Sequence, residues 1–398
     1  MTKKLNDPYG LTRRRFLQMS GLAAGGLLLG ACSDDGGTAT TAAPGTTAAP
    51  APATTTGGSD TTAGGTDTTV AQMTAPQSEL EVVRFDFNTP NQNLQAPYWI
   101  GISKGFFAEV GIDLQPSNIT GLDDYLPPMF AGDIDIALMD AVVIFPAEDQ
   151  ATLDGSPNGL TWVSCNLGAQ PIIMIANEGV TADNLAGKTI GCARAGTTNE
   201  VLAKFVLGEL GYDWETDVNC VSLTGGSNDW VTAMLTGQVD ATLAFPRHIA
   251  LAEEVGGSAI YNAPRLDPQA GFGVLRSTLD QYPTFATAWN YAYIKAQQWV
   301  KDPANWEEMR EILAGDFGLD YPDNVFAAMD VDAAIMTSDL GWNPDDMDTL
   351  MAFSQELGGY RADLPWRDYV DLQYLHAAQD ALGLAQNPVD VNTGVTNL

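Results

Sequence analysis

The chain has 398 residues, 45% of them hydrophobic and 9% aromatic, which is more length than one core usually serves and enough apolar side chain to build two. Its formal net charge is -32, from 18 Lys and Arg against 50 Asp and Glu, and this excludes the clustered cationic surface that nucleic acid requires. The two His and four Cys show no zinc-ligand spacing, so neither a metal nor another cofactor is expected.

The chain begins with an address. LTRRRFLQMSGLAAGGLLLGAC has a basic start, an apolar stretch from about Met19 to Leu29, and small residues before Cys32. The apolar stretch is shorter than the roughly 20 residues of a membrane-spanning helix, so residues 1–31 read as a removable export signal. Thr12-Arg13-Arg14-Arg15-Phe16-Leu17 resembles the twin-arginine export signature, and Leu29-Gly30-Ala31-Cys32 resembles the lipobox, in which the Cys is acylated. The expected result is a protein held by a lipid at Cys32 to the extracytoplasmic face of the cytoplasmic membrane. Residues 32–79 are almost entirely Thr, Ala, Gly, Pro, Ser and Asp up to about Ser78, too poor in apolar area to offset chain entropy, and read as a disordered tether.

From Glu81 onward short apolar runs alternate with helical patterns: VVRFDF, a helix near Ala96 to Ser103, IDLQP, then a helix before IDIALM. That alternation predicts βαβ units, a largely parallel sheet and an α/β fold. After Asp183 the same grammar returns as KTIGCA, a helix from about Glu200 to Leu210, VNCVSL, a helix near Trp230 to Leu235, and VDATLAF. MFAGDIDIAL (129–138) is echoed by MLTGQVDATL (234–243), each a helix end, a Gly that allows positive φ, and a buried strand. From about Thr278 the pattern is helical, with Trp289, Tyr293, Trp299, Trp306, Trp342 and Trp366 expected to pack rather than touch a ligand.

PYWIGISKGFFAEVGIDLQ, MFAGDIDIALMD, LAGKTIGCARAGTTNEVLAKFVLGELG, AMLTGQVDATLAFPRHIALAEE and the terminal WRDYVDLQYLHAAQDALG resemble the periplasmic binding proteins of nitrate, sulfonate, taurine and thiamine-pyrimidine importers. The resemblance implies a type II periplasmic-binding-protein fold of two α/β lobes joined by a two-strand hinge, with a helical C-terminal extension. One lobe takes residues 80–168 and 272–398, the other 169–271. It also implies a monomer without catalysis. Such a protein captures a small polar solute or anion in its cleft and presents it to the permease of an ABC importer. Two other roles share the fold: an enzyme of the pyrimidine-synthase or desulfinase branch, and the ligand-sensing lobe of a receptor. The Cys-rich CCCFC motif of the synthases is missing, and Cys165 is the sole candidate for a desulfinase nucleophile.

Candidate ligand contacts follow from strand ends, where open α/β sheets bind. In ARAGTTNE, Gly196 permits a tight turn, Thr197 and Glu200 fit a capping box, and Thr198 and Asn199 sit at a helix N-terminus whose free N–H groups attract polar ligands. The first strand leads into Asn88, Asn91 and Asn93, whose amides donate and accept; Pro90-Asn91-Gln92-Asn93 resembles the thiamine-pyrimidine branch, but Leu94 replaces its His. Asp140, Phe245, Arg194 and Arg247 complete the set, each Arg able to pair with a ligand anion or with one of the many carboxylates. His248 reads as structural and has no evident partner. Cys192 and Cys220 lie on consecutive strands; export permits a disulfide, but neighbouring parallel strands seldom have the geometry, and buried thiols are expected.

Overall fold

The computed structural model describes residues 74–86, 93–117, 126–168, 171–192, 198–263, 270–319, 321, 323–356, 361 and 363–388. Strands β1 to β4 (Val82–Asp86, Asp113–Ser117, Ile136–Asp140, Leu160–Leu167) join β10 (Ala270–Leu275) in a five-stranded sheet of order β2-β1-β3-β10-β4. Strands β5 to β9 (Ile172–Ala176, Thr189–Gly191, Asn219–Val221, Ala241–Ala244, Ser258–Ala263) form a second, of order β7-β6-β8-β5-β9. Helices α1 (Ala96–Ser103), α2 (Phe106–Glu109), α3 (Leu126–Ala131) and α4 (Ala141–Leu153) belong to the first chain segment, and α5 (Thr198–Glu209), α6 (Ser227–Leu235) and α7 (Ile249–Glu254) to the second. After β10 come α8 (Arg276–Gln281), α9 (Phe285–Lys301), α10 (Trp306–Phe317), α11 (Asp323–Phe326), α12 (Met329–Ile335), α13 (Pro344–Glu356) and α14 (Gln373–Ala381).

The two sheets have one wiring. Replacing β1, β2, β3, β10 and β4 by β6, β7, β8, β5 and β9 turns the first order into the second. In each, the first strand lies parallel between its two neighbours, and the strand with which the chain re-enters after crossing from the other lobe runs antiparallel. The expectation of a largely parallel sheet therefore needs correcting, since four of the eight pairings among the described strands are antiparallel. The cause is the double crossing: β5 and β10 each enter a sheet from the far side.

The first core centres on rings from four elements. Phe85 of β1 stacks on Tyr98 of α1 at 4.2 Å, Phe272 of β10 meets Tyr293 of α9 at 4.7 Å, and Trp289 lies 5.3 Å from both Phe85 and Phe272. These side chains are fully buried, and Trp342 and Trp366 are nearly so, consistent with a packing role for the C-terminal aromatics. In the second lobe β5 is buried on both faces: Met174 faces a cluster with Ile190, Leu202 and Val206, whereas Ile173 and Ile175 face Val231 and Met234, the alternation a strand imposes. The helical tail covers the exposed edge of β4. The Leu340 and Asn166 carbonyls accept from Cys165 and Thr337 N–H at 2.8 and 3.1 Å, and the Trp162 carbonyl accepts from Asp371 N–H at 2.9 Å. An otherwise open ladder edge is thereby satisfied.

Candidate functional site

The carboxyl ends of the parallel strands β1, β3, β6 and β8 set the site, because there the chain turns from strand to helix and leaves side chains and backbone donors outside the ladder. Asp140 ends β3, precedes α4 and is buried. Asn93 follows β1 in the short turn leading to α1 and is fully buried. Thr198 opens α5 and Asn199 follows it. Phe245 and Arg247 follow β8 directly. The predicted residues Asn88, Asn91, Arg194, Gly196 and Thr197, and the acylation site Cys32, lie outside the described residues.

A small recess of about 20 Å³ opens at this end of the second sheet. Because β5 is antiparallel to β8, with Ile173 opposite Ala244, the start of β5 and the end of β8 share one rim. Asn199 and Leu202 of α5, Trp230 of α6, and Ile173, Leu243 and Phe245 line it. The walls are apolar apart from the Asn199 amide and the Trp230 indole, whose buried N–H meets no acceptor among the described residues.

Beside the cavity the two lobes are joined by a buried ion pair. Arg247 Nη1 lies 3.1 Å from Asp332 Oδ1, and both side chains are almost wholly buried. Arg247 comes from the second lobe, whereas Asp332 is on α12, whose Met329, Ala333 and Ile335 pack in the first core. Asn93 donates from Nδ2 to Asp332 Oδ2 at 3.0 Å, and Arg247 donates from Nη2 to Ser227 Oγ at 2.9 Å. The guanidinium also sits over the Phe245 ring, 4.6 Å from its centroid, so cluster and cavity share a wall. Burial pushes the Asp332 carboxyl up, while Arg247 and the Asn93 hydrogen bond favour its charged form.

His248 is locked next to this pair. The Phe245 N–H donates to Nδ1 at 3.1 Å, which leaves the proton on Nε2, 2.9 Å from Asn228 Oδ1. Burial, and then the charge of Arg247, hold its pKa well below the usual imidazole value, so the ring is neutral. Sequence reading gave His248 a structural role and missed its partner, which comes from the start of α6.

Three residues escaped the sequence reading: Asp332, Ser227 and Trp230. A signal for Asp332 was present, since it shares a helix face with Met329, Ala333 and Met336, and a carboxylate on an apolar stripe demands a buried partner. The expectation of buried free thiols is overturned, because Cys192 and Cys220 form a disulfide with Cα atoms 5.7 Å apart. Cys192 lies one residue beyond β6, whose Gly191 opposes Val221, so its Cα faces Cys220 on a diagonal rather than directly across the ladder. Cys165 is fully buried in β4, its thiol 3.0 Å from the Leu167 carbonyl. Among the described residues, no group of three or more His, Cys, Asp or Glu could hold a metal ion.

Two lobes of identical wiring, each with an antiparallel strand entered from the other, define the type II periplasmic-binding-protein fold. Residues 77–314 match the NMT1-like family, and the chain belongs to it. YtlA of Bacillus subtilis (strain 168), whose name assigns it provisionally to the binding proteins, is 24% identical over 235 residues, 57% of this chain and 69% of that one. Among solved structures, the periplasmic nitrate-binding protein NrtA from Synechocystis PCC 6803 superimposes with a TM-score of 0.62 at 17% identity, covering 77% of this chain and 90% of NrtA. The alkanesulfonate-binding protein SsuA from Xanthomonas axonopodis pv. citri, bound to MOPS, gives 0.57 at 15% identity over 73% of this chain and 98% of its own. The desulfurization enzyme DszB shares the fold as well, at 0.53 and 12% identity, covering 75% of this chain and 99% of DszB.

Proposed function

We propose that this protein is an extracytoplasmic solute-binding lipoprotein of an ABC importer, which captures a small solute between its lobes and delivers it to a permease. The observation that carries the reading is the junction of the lobes. Side chains from both converge at the strand ends, with Arg247 on one and Asp332 on the other, beside a cavity faced by Phe245 and Asn199. Relative rotation of the lobes about their two crossing segments encloses or releases whatever lies there. The solute is held by Asn199, Phe245 and the Thr198 end of α5 from the second lobe, and by Asp140 and Asn93 with the amide-rich segment of Asn88 and Asn91 from the first. Arg194, Gly196 and Thr197 complete the second-lobe contacts, and Arg247 orders the wall.

Support comes from the NMT1-like family match, the binding-protein name of YtlA and the folds of NrtA and SsuA. Support against the enzyme reading comes from Cys165, a thiol buried on the covered edge strand β4 and hydrogen-bonded to backbone carbonyls, which offers no accessible thiolate. The lobes are residues 80–168 with 272–398, and 169–271, behind a tether of residues 32–79 anchored at Cys32. Native mass spectrometry of protein purified without denaturation tests the role. One small molecule should be retained and be recovered chemically unchanged, whereas a recovered reaction product would move the protein to the enzymes.

A further inference from the structure

The arginine that would be expected to receive an anionic solute is already engaged. Arg247 directs Nη1 to Asp332 at 3.1 Å and Nη2 to Ser227 at 2.9 Å, and it is 6% exposed. The second oxygen of Asp332 accepts from Asn93, so the carboxylate is fixed from both lobes. Only Nε lacks a partner among the described residues, and a solute anion could take the Nη1 position only by displacing Asp332, which is 0% exposed and would be left as a buried charge without its counter-ion. That exchange replaces a preorganised carboxylate with a solvated ion and leaves a second negative charge nearby. The adjoining recess is lined by Asn199 and by apolar side chains, and the buried indole N–H of Trp230, which also lines it, meets no acceptor among the described residues.

We infer that Asp332 is a built-in counter-anion: by occupying Arg247 across the cleft, it turns the site away from small anions and toward solutes that are uncharged at the contacting end and carry a hydrogen-bond acceptor. This rests on the reading of the cleft as a solute site, and it runs opposite to the nitrate and alkanesulfonate named for the proteins of similar fold. Asp332 is a specificity determinant that acts through Arg247.

The test uses ethanesulfonate and nitrate as probes, with the full-length protein followed by thermal unfolding and calorimetry. The wild type and Arg247→Gln should be equally insensitive to both anions at millimolar concentration. Asp332→Asn keeps the side-chain shape and the Asn93 contact but frees the guanidinium, so it should gain at least tenfold in affinity for ethanesulfonate. Arg247→Gln/Asp332→Asn should lose that gain. Binding of either anion by the wild type, abolished by Arg247→Gln, would overturn the inference and leave the delivery role standing; so would a folded Asp332→Asn protein that gains nothing. If Asp332→Asn does not fold, the comparison of wild type with Arg247→Gln still decides. Failure of the delivery role itself would show instead as a chemically altered solute in native mass spectrometry.

Discussion

Asp135 and Asp240 do the same work in the two lobes. Asp135 Oδ2 accepts from the Arg84 N–H at 2.8 Å while its own N–H donates to the Arg84 carbonyl at 2.9 Å; Asp240 Oδ2 accepts from the Thr189 N–H at 2.8 Å and its N–H donates to the Thr189 carbonyl at 2.7 Å. Each partner lies 51 residues earlier, at the strand alongside. A cation adds to each, Arg84 at 2.7 Å from Asp135 and Lys188 at 3.7 Å from Asp240. The carboxylate thus satisfies a donor where the ladder begins, and in each lobe a left-handed glycine three residues earlier aims the strand.

Those glycines give the first prediction. Gly132 and Gly237 have φ of 79° and 75°, and a Cβ at either would meet nothing within 4 Å. The cost of Ala is therefore conformational, and Gly132→Ala and Gly237→Ala should each destabilise their lobe by about 1 kcal/mol in urea denaturation. Unchanged midpoints would show that neither turn needs its left-handed backbone.

A pH dependence follows from His248. Its folded-state pKa is depressed by burial and by Arg247, so the unfolded chain binds the proton more readily. Stability from this group is complete above the unfolded value near 6.5 and falls as pH drops below it, at no more than about 1.4 kcal/mol per pH unit. His248→Gln should lessen the fall of the unfolding midpoint between about pH 6.5 and 5, leaving the part due to His376, whose pKa burial also lowers. A wild-type midpoint that is already flat there would contradict a neutral buried ring.

The Cys192–Cys220 disulfide spans 28 residues of the second lobe. Closing a loop of that length in the unfolded chain contributes about 2–4 kcal/mol. A Cys192→Ser/Cys220→Ser protein, or the wild type under reductant, should unfold earlier by that amount in chemical denaturation. Equal stability with and without reductant would mean that the thiols are not joined.

The anchor is tested separately. Cys32→Ala removes the acylation site and should release the protein from membranes after a high-salt wash, because the acyl chains supply roughly 0.8 kcal/mol per buried methylene. Persistent sedimentation of the variant with membranes would contradict the lipoprotein reading.

The parallel strands were legible because each is a short apolar run followed by a helix. The predicted helix near Ala96 to Ser103 coincides with α1, and VVRFDF, IDLQP and VDATLAF hold β1, β2 and β8. The antiparallel strands were not. β10 reads AGFGVL, a glycine-rich loop by composition, yet Gly271 is there because a Cβ would fall on the Ser164 carbonyl and the Trp162 ring of β4. β9 has no clean alternation, since its side chains are mostly half-buried along its length. At the site, Asn93 and Arg247 could be singled out from strand-end position. Their common partner Asp332 lies 85 residues beyond Arg247; its place on an apolar helix face marks a carboxylate that needs a buried partner, but only the fold shows that the partner is Arg247.

Capture between two moving lobes is tested most directly by small-angle scattering of the full-length protein, first stripped of its co-purified solute and then titrated with it. Enclosure of the solute at the Arg247–Asp332 junction predicts a radius of gyration that falls as the solute saturates the protein and recovers when it is removed. A radius unchanged at saturation, with the solute demonstrably bound, would contradict the account.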